Sequence, residues 1–444
     1  MEPRIYRTFL IPCGNMRPAS RPTQQFVIPA SSNRYMIYVP RKGICAHVNR
    51  EFVKQLGSHV RIVRCLKSFI NRMPSVKNLR RSKKLLGVAL SLTSDCNMRC
   101  RYCYVSGGDR PRYMSWRTAK AALDWALTHS DKRFRILFQG EGETTLALRL
   151  MQKCYEYARS RCQQLHKELL VTVTTNGLLS PTAVNWLKGL GSALELYVSF
   201  DGPPSIQNAQ RPLKGGRPSW PIVWRTIQSL KRVGIPFTVK TSVTSEGRMP
   251  GLVRYFHKLG IKTIHMGGIV EEGRCIPTGT RATNRNKFFQ KFTRAFELAH
   301  RLGIDLAPMW SLRLINACDA CRVLTVTTRG YIAACLGILE SKDAAADIFL
   351  YGRIVAGRVV IDEQKLRYLR SRTVDRLNTC RKCFAKWNCG GGCALAAFRK
   401  SGSIFAPETS FCDVIRKSTV YMLDKVLRSS IAVDNKCQQA SVCV

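Results

Sequence analysis

Three cysteines fall within one short stretch, Cys96-Asn97-Met98-Arg99-Cys100-Arg101-Tyr102-Cys103, in the spacing C-x3-C-x2-C. Three thiolates on one tight loop can hold three irons of a [4Fe–4S] cluster and leave the fourth iron without a protein ligand. An open iron suits a cluster that binds a small molecule, beyond carrying electrons. The same spacing is also compatible with a zinc loop or with redox-inert thiols. The apolar run Leu86 to Leu92 just upstream predicts a buried strand that would place this loop at its end.

Further thiols follow in a second array. Cys318-x2-Cys321 precedes Gly330-x4-Cys335, then comes Cys380-x2-Cys383-x5-Cys389-x3-Cys393, with Cys412 beyond. The run Gly390-Gly391-Gly392 lets the chain turn tightly around a bound group. Four-cysteine spacing does not distinguish zinc from iron–sulfur. The remaining cysteines (Cys13, Cys45, Cys65, Cys154, Cys162, Cys275, Cys437 and Cys443) fit no ligand spacing and read as buried or incidental thiols.

The elements that must position these residues alternate from Leu85 to about Ala307. Strands are expected over Phe134–Phe138, Leu169–Thr175, Leu194–Phe200, Phe237–Val243 and Thr263–Met266. Helices are expected over Ser115–His129, Leu146–Gln164, Thr182–Leu190, Ile222–Val233, Leu252–Leu259 and Arg285–Leu302. Ser115 reads as an N-cap and Pro181 as a helix start. Repeated βα units with apolar strands predict an α/β fold with a parallel sheet covered by helices. Ligands then belong at the C-terminal strand ends. The loops there carry Gln139-Gly140-Glu141-Gly142-Glu143-Thr144-Thr145, Thr174-Thr175-Asn176-Gly177, Ser199-Phe200-Asp201-Gly202 with Arg211, Thr241-Ser242, and His265-Met266-Gly267-Gly268. The last two groups are candidates to line a substrate cavity.

These motifs together resemble the radical S-adenosylmethionine (SAM) enzymes, and the second cysteine array resembles their C-terminal SPASM extension. The resemblance spans residues 85 to 415. It implies a partial (β/α)6 barrel at 85–307 whose Cys96/Cys100/Cys103 cluster binds SAM through its open iron. Tyr102 then lies near the adenine, and Gly140, Gly142 and Glu143 meet the SAM ammonium. Ser199, Asp201 and Arg211 fall near the ribose and carboxylate. The family's usual proline after the glutamate is Thr144 here. The extension, 308–415, implies two auxiliary [4Fe–4S] clusters: one on Cys318, Cys321, Cys335 and Cys393, the other on Cys380, Cys383, Cys389 and Cys412.

The activity implied is reductive cleavage of SAM to a 5′-deoxyadenosyl radical, then oxidative modification of a ribosomally made peptide or protein. Crosslinks or thioethers are the expected products. Sulfatase maturation is an alternative, but Leu336 stands where those relatives carry an aspartate after the cysteine equivalent to Cys335. An electron donor such as a flavodoxin or ferredoxin is implied.

Composition bounds the remaining choices. The 444 residues carry 72 Lys and Arg against 28 Asp and Glu, a formal net charge of +44. Such a field favours an anionic partner: an acidic peptide, a nucleic acid or a membrane surface. A radical enzyme acting on RNA is therefore another alternative, although no RNA-binding motif is present. The first 84 residues are strongly basic, with short strands expected at Tyr35–Val39 and Gly43–Val48. Helices are expected at Arg50–Leu56 and Val60–Asn71; residues 1 to 30 read as irregular. This segment is a candidate module for holding a substrate's leader peptide. Residues 416–444 read as a helix, Val414 to Leu427, and a polar tail. No apolar run is long enough to span a membrane. With many clustered thiols and no signal-peptide pattern, the expected compartment is the cytoplasm.

Overall fold

The structure is a computed structural model that describes residues 25–31, 34–42, 44–58, 84–280, 283–307, 315–318, 321–406, 409 and 412–440. The helix expected over Val60–Asn71 lies outside the described residues. The chain forms two compact units, residues 1–81 with 310–318 and 372–444, and residues 82–309 with 319–371. These do not follow the boundaries expected from the sequence. The basic N-terminal segment shares a unit with most of the cysteine array, and residues 319–371 belong with the barrel-like segment.

In the first unit, three antiparallel strands pair in the order β1 (Phe26–Ser31), β2 (Arg34–Val39), β3 (Ile44–Asn49). Strand β1 corrects the expectation that residues 1 to 30 are irregular. Its Phe26 and Ile28 alternate onto one face beside Met36 and Tyr38 of β2, and Val374, Phe384, Trp387 and Leu423 close over them. Each such side chain contributes about 1.5–3 kcal/mol on burial, which accounts for the shared core. Ile37 and Val39 turn to the other face against Phe52 and Leu56 of the helix Arg50–Ser58. The C-terminal helix runs from Cys412 to Ala440, past the expected end at Leu427.

The second unit is built on an eleven-stranded sheet. In chain order its first strands are β4 (Leu85–Leu90), β5 (Ser130–Phe138), β6 (Glu168–Thr175), β7 (Leu194–Ser199), β8 (Thr238–Val243), β9 (Thr263–Gly268) and β10 (Asp305–Leu306). They lie side by side in that order and pair in parallel. Sequential order with right-handed crossovers puts the connecting helices on one face, as in a barrel wall. Among the described residues the sheet does not close into a barrel. The open edge of β4 is covered by β11 (Val323–Val326), which pairs with it in parallel from Val323↔Gly87 to Val326↔Leu90. Strands β12 (Tyr331–Ala333), β13 (Leu350–Val355) and β14 (Arg358–Ile361) continue antiparallel. This pairing attaches residues 319–371 to the barrel-like sheet, because an unpaired edge would leave the backbone groups of β4 unmet.

Candidate functional site

The cysteine loop leaves the C-terminal end of β4 with no regular structure, so its carbonyls need outside donors. Two arginines supply them. Arg99 donates from Nη1 to the Cys96 and Met98 carbonyls (2.7 and 3.0 Å) and from Nη2 to Gly108 O (2.9 Å). Arg274, on the loop after β9, donates to Cys100 O (3.1 Å), to Gly107 O (2.9 Å) and to Asp109 Oδ1 (2.7 Å). Its own N–H reaches Cys103 O at 2.9 Å. Each thiol of the loop also has an N–H donor beside it. Gly107 N lies 3.4 Å from Cys103 Sγ, Asn176 Nδ2 3.8 Å from Cys96 Sγ, and Arg211 Nη1 3.7 Å from Cys100 Sγ. Burial pushes the Cys100 thiol up to about 12, offset in part by Arg211 and reinforced by Cys103 and Cys96.

The loop after β5 packs directly on the cysteine loop. A Cβ at Gly142 would come 2.1 Å from Asp95 O, the acceptor of the Glu143 N–H, so only glycine fits there. Gly140 lies as close to Ser91. The Glu143 carboxylate accepts from Thr145 N (3.1 Å), Thr145 Oγ1 (2.7 Å), Thr175 Oγ1 (2.8 Å) and Asn176 N (2.6 Å). Burial pushes its carboxyl above the usual range against the pull of those donors. Glu141 is likewise occupied. It accepts from Thr328 N (2.8 Å) and Thr328 Oγ1 (2.7 Å) and so fastens the loop to the end of β11.

Asp201, fully buried after β7, joins three pieces of backbone. Its Oδ2 accepts from Tyr102 OH at 2.5 Å and faces Arg211 Nε at 3.1 Å. Its Oδ1 accepts from Ser242 N at 3.0 Å, which ties the β7 and β8 ends together. The Arg211 guanidinium lies 5.2 Å from the Tyr102 ring centroid, and its buried Nε–H has no aligned hydrogen-bond acceptor. Ser199 is buried at the end of β7, in register with Lys240.

Strand alternation decides which of the other candidates face inward. Val239, Thr241 and Val243 are buried, while Thr238, Lys240 and Ser242 lie on the other, less covered face. On β9, Ile264 and Met266 are buried, while Thr263 and His265 lie opposite. The expectation that Thr241 and Met266 line a cavity is corrected: the pleat turns both toward the helices, and Ser242 and His265 are their inward neighbours.

The second cysteine array divides between the units. In the first unit, Cys380, Cys383, Cys389 and Cys412 lie close enough for their charges to interact. Burial pushes Cys389 up to about 11, with Cys383, Cys412 and Cys380 adding to it. Cys318 and Cys393 belong to the same unit. Arg372 there donates to the Gly391 and Gly392 carbonyls at 2.6 and 3.1 Å and to Ile404 O. The Gly390–Gly392 run has φ of +65°, +82° and +74°, the left-handed region that glycine adopts at least cost. In the second unit the Cys321 N–H donates to Ala334 O (3.2 Å), next to Cys335. Cys321 itself holds φ +63°, which costs a non-glycine residue about 1–3 kcal/mol. Among the described residues, no three His, Cys, Asp or Glu side chains gather tightly enough to chelate a single ion.

The site fits the cluster and SAM on its own donor chemistry. The three thiols lie near enough for their charges to interact, with an N–H beside each, which is what anionic sulfur requires. The Arg211 guanidinium, held by Asp201 through Nε and set beside Cys100, is a fork suited to a further carboxylate. The sequence gives no sign of Arg99 or Arg274 as positioning residues, because arginine on a basic chain carries no spacing signal; Asn176 stands in a strand-end motif without an assigned role.

Comparison with known proteins agrees with this geometry. Residues 90–245 match the Radical SAM superfamily. Uncharacterized protein MJ0907 of Methanocaldococcus jannaschii is 30% identical over 178 residues, which are 39% of this chain and 59% of that protein. The chain thus spans less than two thirds of that relative's length. Among solved structures, anSMEcpe with bound AdoMet superposes with a TM-score of 0.62 at 17% identity, covering 78% of this chain and 96% of that one. Streptococcus suis SuiB bound to S-adenosylmethionine gives 0.53 at 12% identity, covering 86% and 99%. SuiB bound to precursor peptide SuiA gives 0.52 at 13% identity, covering 87% and 98%. The segment that matches the Radical SAM superfamily runs from the last residue of β4 to just past β8 and contains the C-x3-C-x2-C loop.

Proposed function

We propose that the chain is a radical SAM maturase that oxidatively modifies a residue of a ribosomally made peptide or protein. The observation that carries this reading is the loop of Cys96, Cys100 and Cys103, each thiol with its own N–H donor, at the C-terminal end of a parallel strand. Those three cysteines would hold the [4Fe–4S] cluster, and the cluster with SAM would supply a carbon-centred radical able to take hydrogen from an unactivated carbon. Arg211 orients the SAM carboxylate. The backbone of the Gly140–Gly142 loop and Ser199 receive the ammonium and ribose, and Tyr102 flanks the adenine. Glu143 and Asp201 act through the loops they brace, since protein donors already take up their oxygens.

Cys380, Cys383, Cys389 and Cys412 are the proposed ligands of one auxiliary cluster. Cys318, Cys321, Cys335 and Cys393 stand as the ligands of the other on the sequence resemblance alone. Residues 1–84 remain the proposed holder of a leader peptide, and a flavodoxin or ferredoxin in the cytoplasm the proposed electron source. Two structural neighbours support a peptide partner: anSMEcpe was solved with the Cp18Cys peptide and SuiB with its precursor peptide.

The test is iron content and SAM cleavage after anaerobic reconstitution. About twelve irons per chain, falling to about eight in a Cys96/Cys100/Cys103→Ala variant, are expected. Reductant-dependent release of 5′-deoxyadenosine should be lost in that variant. Zinc in place of iron, or no SAM cleavage by the reconstituted chain, would overturn the reading.

A further inference from the structure

We propose that the inner face of the sheet carries a carboxylate-binding site, made by Lys240 and His265 with Tyr197 at its side, which receives an acidic side chain of the substrate. This rests on the peptide reading above and names the substrate's chemistry.

Lys240 and His265 are register partners on neighbouring strands β8 and β9. Both point to the face opposite the helix-packed Val239, Val243, Ile264 and Met266. Lys240 Nζ lies 5.3 Å from the centroid of the Tyr197 ring on β7, a contact that steadies the ammonium without neutralising it. The acids on this face and at its rim are already matched. Glu195 pairs with Arg135 at 2.6 Å, and Asp201 pairs with Arg211 at 3.1 Å. Among the described residues, no carboxylate is left for Lys240.

The surroundings sharpen this imbalance. Burial lowers the affinity of Lys240 for its proton, and the Arg211 charge lowers it further. Burial and then Lys240 do the same to His265. A half-buried ammonium near the Arg211 cation, with no counter-charge of its own among the described residues, is the arrangement a ligand carboxylate would complete. Two carboxylates could reach such a pair: that of SAM, and that of an aspartate or glutamate in the substrate. Arg211, whose Nη1 lies beside Cys100 of the cysteine loop, serves the first. Lys240 is in register with Ser199, and His265 lies one strand further from the cysteine loop, so this pair serves the second.

The experiment uses the reconstituted full-length chain and two probes, N-acetylglutamate N-methylamide and its neutral isostere N-acetylglutamine N-methylamide. Binding is read by saturation-transfer NMR, and SAM affinity by equilibrium dialysis. The expected result is preference for the glutamate probe, reduced tenfold or more in Lys240→Met and largely retained in Lys240→Arg, with SAM affinity unchanged in both. Equal binding of the two probes would overturn the proposal. So would a tenfold loss of SAM affinity in Lys240→Met with probe binding intact, which would assign the pair to the SAM carboxylate. Loss of binding in both Lys240→Met and Lys240→Arg would also count against it, by showing that shape and not charge is recognised. Probe binding is read without turnover, so a failure of SAM cleavage and a failure of this site are separate results.

Discussion

Adding one methyl group at Gly142 should damage the site without touching any of its charged residues. The Cβ of Gly142→Ala would stand 2.1 Å from Asp95 O and 2.7 Å from the Ser94 carbonyl carbon, both backbone atoms that no rotamer change can move aside. The Asp95 carbonyl must retreat, and it is the acceptor of the Glu143 N–H at 2.8 Å. Overpacking of this kind costs about 1–3 kcal/mol, and the lost hydrogen bond adds about 0.5–1.5 kcal/mol. The sum is about 2–4 kcal/mol. At a urea slope of about 2–3 kcal/mol per M it moves the unfolding midpoint down by roughly 1 M. Gly251 is the internal control. It lies in the helix Met249–Lys258 with nothing within 4 Å of its Cβ position, so Gly251→Ala should raise stability by about 1 kcal/mol. Urea unfolding followed by far-UV circular dichroism, with iron content after reconstitution, measures both. An unchanged midpoint and full iron loading in Gly142→Ala would refute the claim that the two loops are in backbone contact.

Asp201→Asn should cost about 3–5 kcal/mol, because it leaves the Arg211 cation buried without its partner. The double variant Asp201→Asn/Arg211→Met should recover part of that loss in the same urea measurement. Arg274→Met removes the side-chain donors to Cys100 O, Gly107 O and Asp109, so hydrogen exchange should quicken at amides 100–108 and stay unchanged in β5 and β6. His265 is held below its usual 6.5, chiefly by burial and then by Lys240, so the unfolded chain binds more protons than the folded one just below pH 6.5. Stability contributed there is lost as pH falls through that window and regained as it rises, and His265→Gln should flatten the slope. Thr328→Val should strip the hydroxyl donor from Glu141 and leave the backbone N–H in place, lowering stability by about 1–3 kcal/mol at neutral pH and by less in acid, where the carboxyl is protonated.

The parallel part of the sheet was legible because each of its strands is a short apolar run followed by an amphipathic helix. Ser115 and Ser180 cap their helices with the side-chain bonds their residue type favours. The cysteine loop was legible for another reason, since ligand spacing is written in adjacent positions. What could not be read lies in long-range pairing. Nothing in Val323–Val326 distinguishes a strand of a separate domain from one that pairs with β4, because parallel pairing leaves no local turn signal. Nor does Phe26–Ser31 alternate strongly enough, with Pro29 inside it, to stand out from the irregular residues before it. Glu143 and Asp201 were singled out as acids beside glycines at strand ends, and the sequence could not show that threonines, backbone amides and Arg211 already take up their oxygens.

The arginines explain part of the basic excess that composition alone left unassigned. Arg99 and Arg274 in one unit, and Arg372 in the other, each use several N–H groups of one fork to hold carbonyls of a cysteine-bearing loop. A lysine ammonium lacks that planar fork and could not bridge two carbonyls in the same way. Backbone carbonyls are dipoles and not counter-ions, so Arg372 keeps its charge beside them, whereas Arg99 and Arg274 share the one carboxylate of Asp109. Arg211 Nη1 is 3.7 Å from Cys100 Sγ, and the thiols of Cys318, Cys393, Cys380 and Cys389 act on Arg372. Thiolate sulfur and the groups it binds carry negative charge, so cations fixed at these loops favour the ligated state over the protonated thiols that burial otherwise enforces. Arginines that organise a loop as donors therefore also serve it as charges, and only the remaining surface excess calls for an anionic partner.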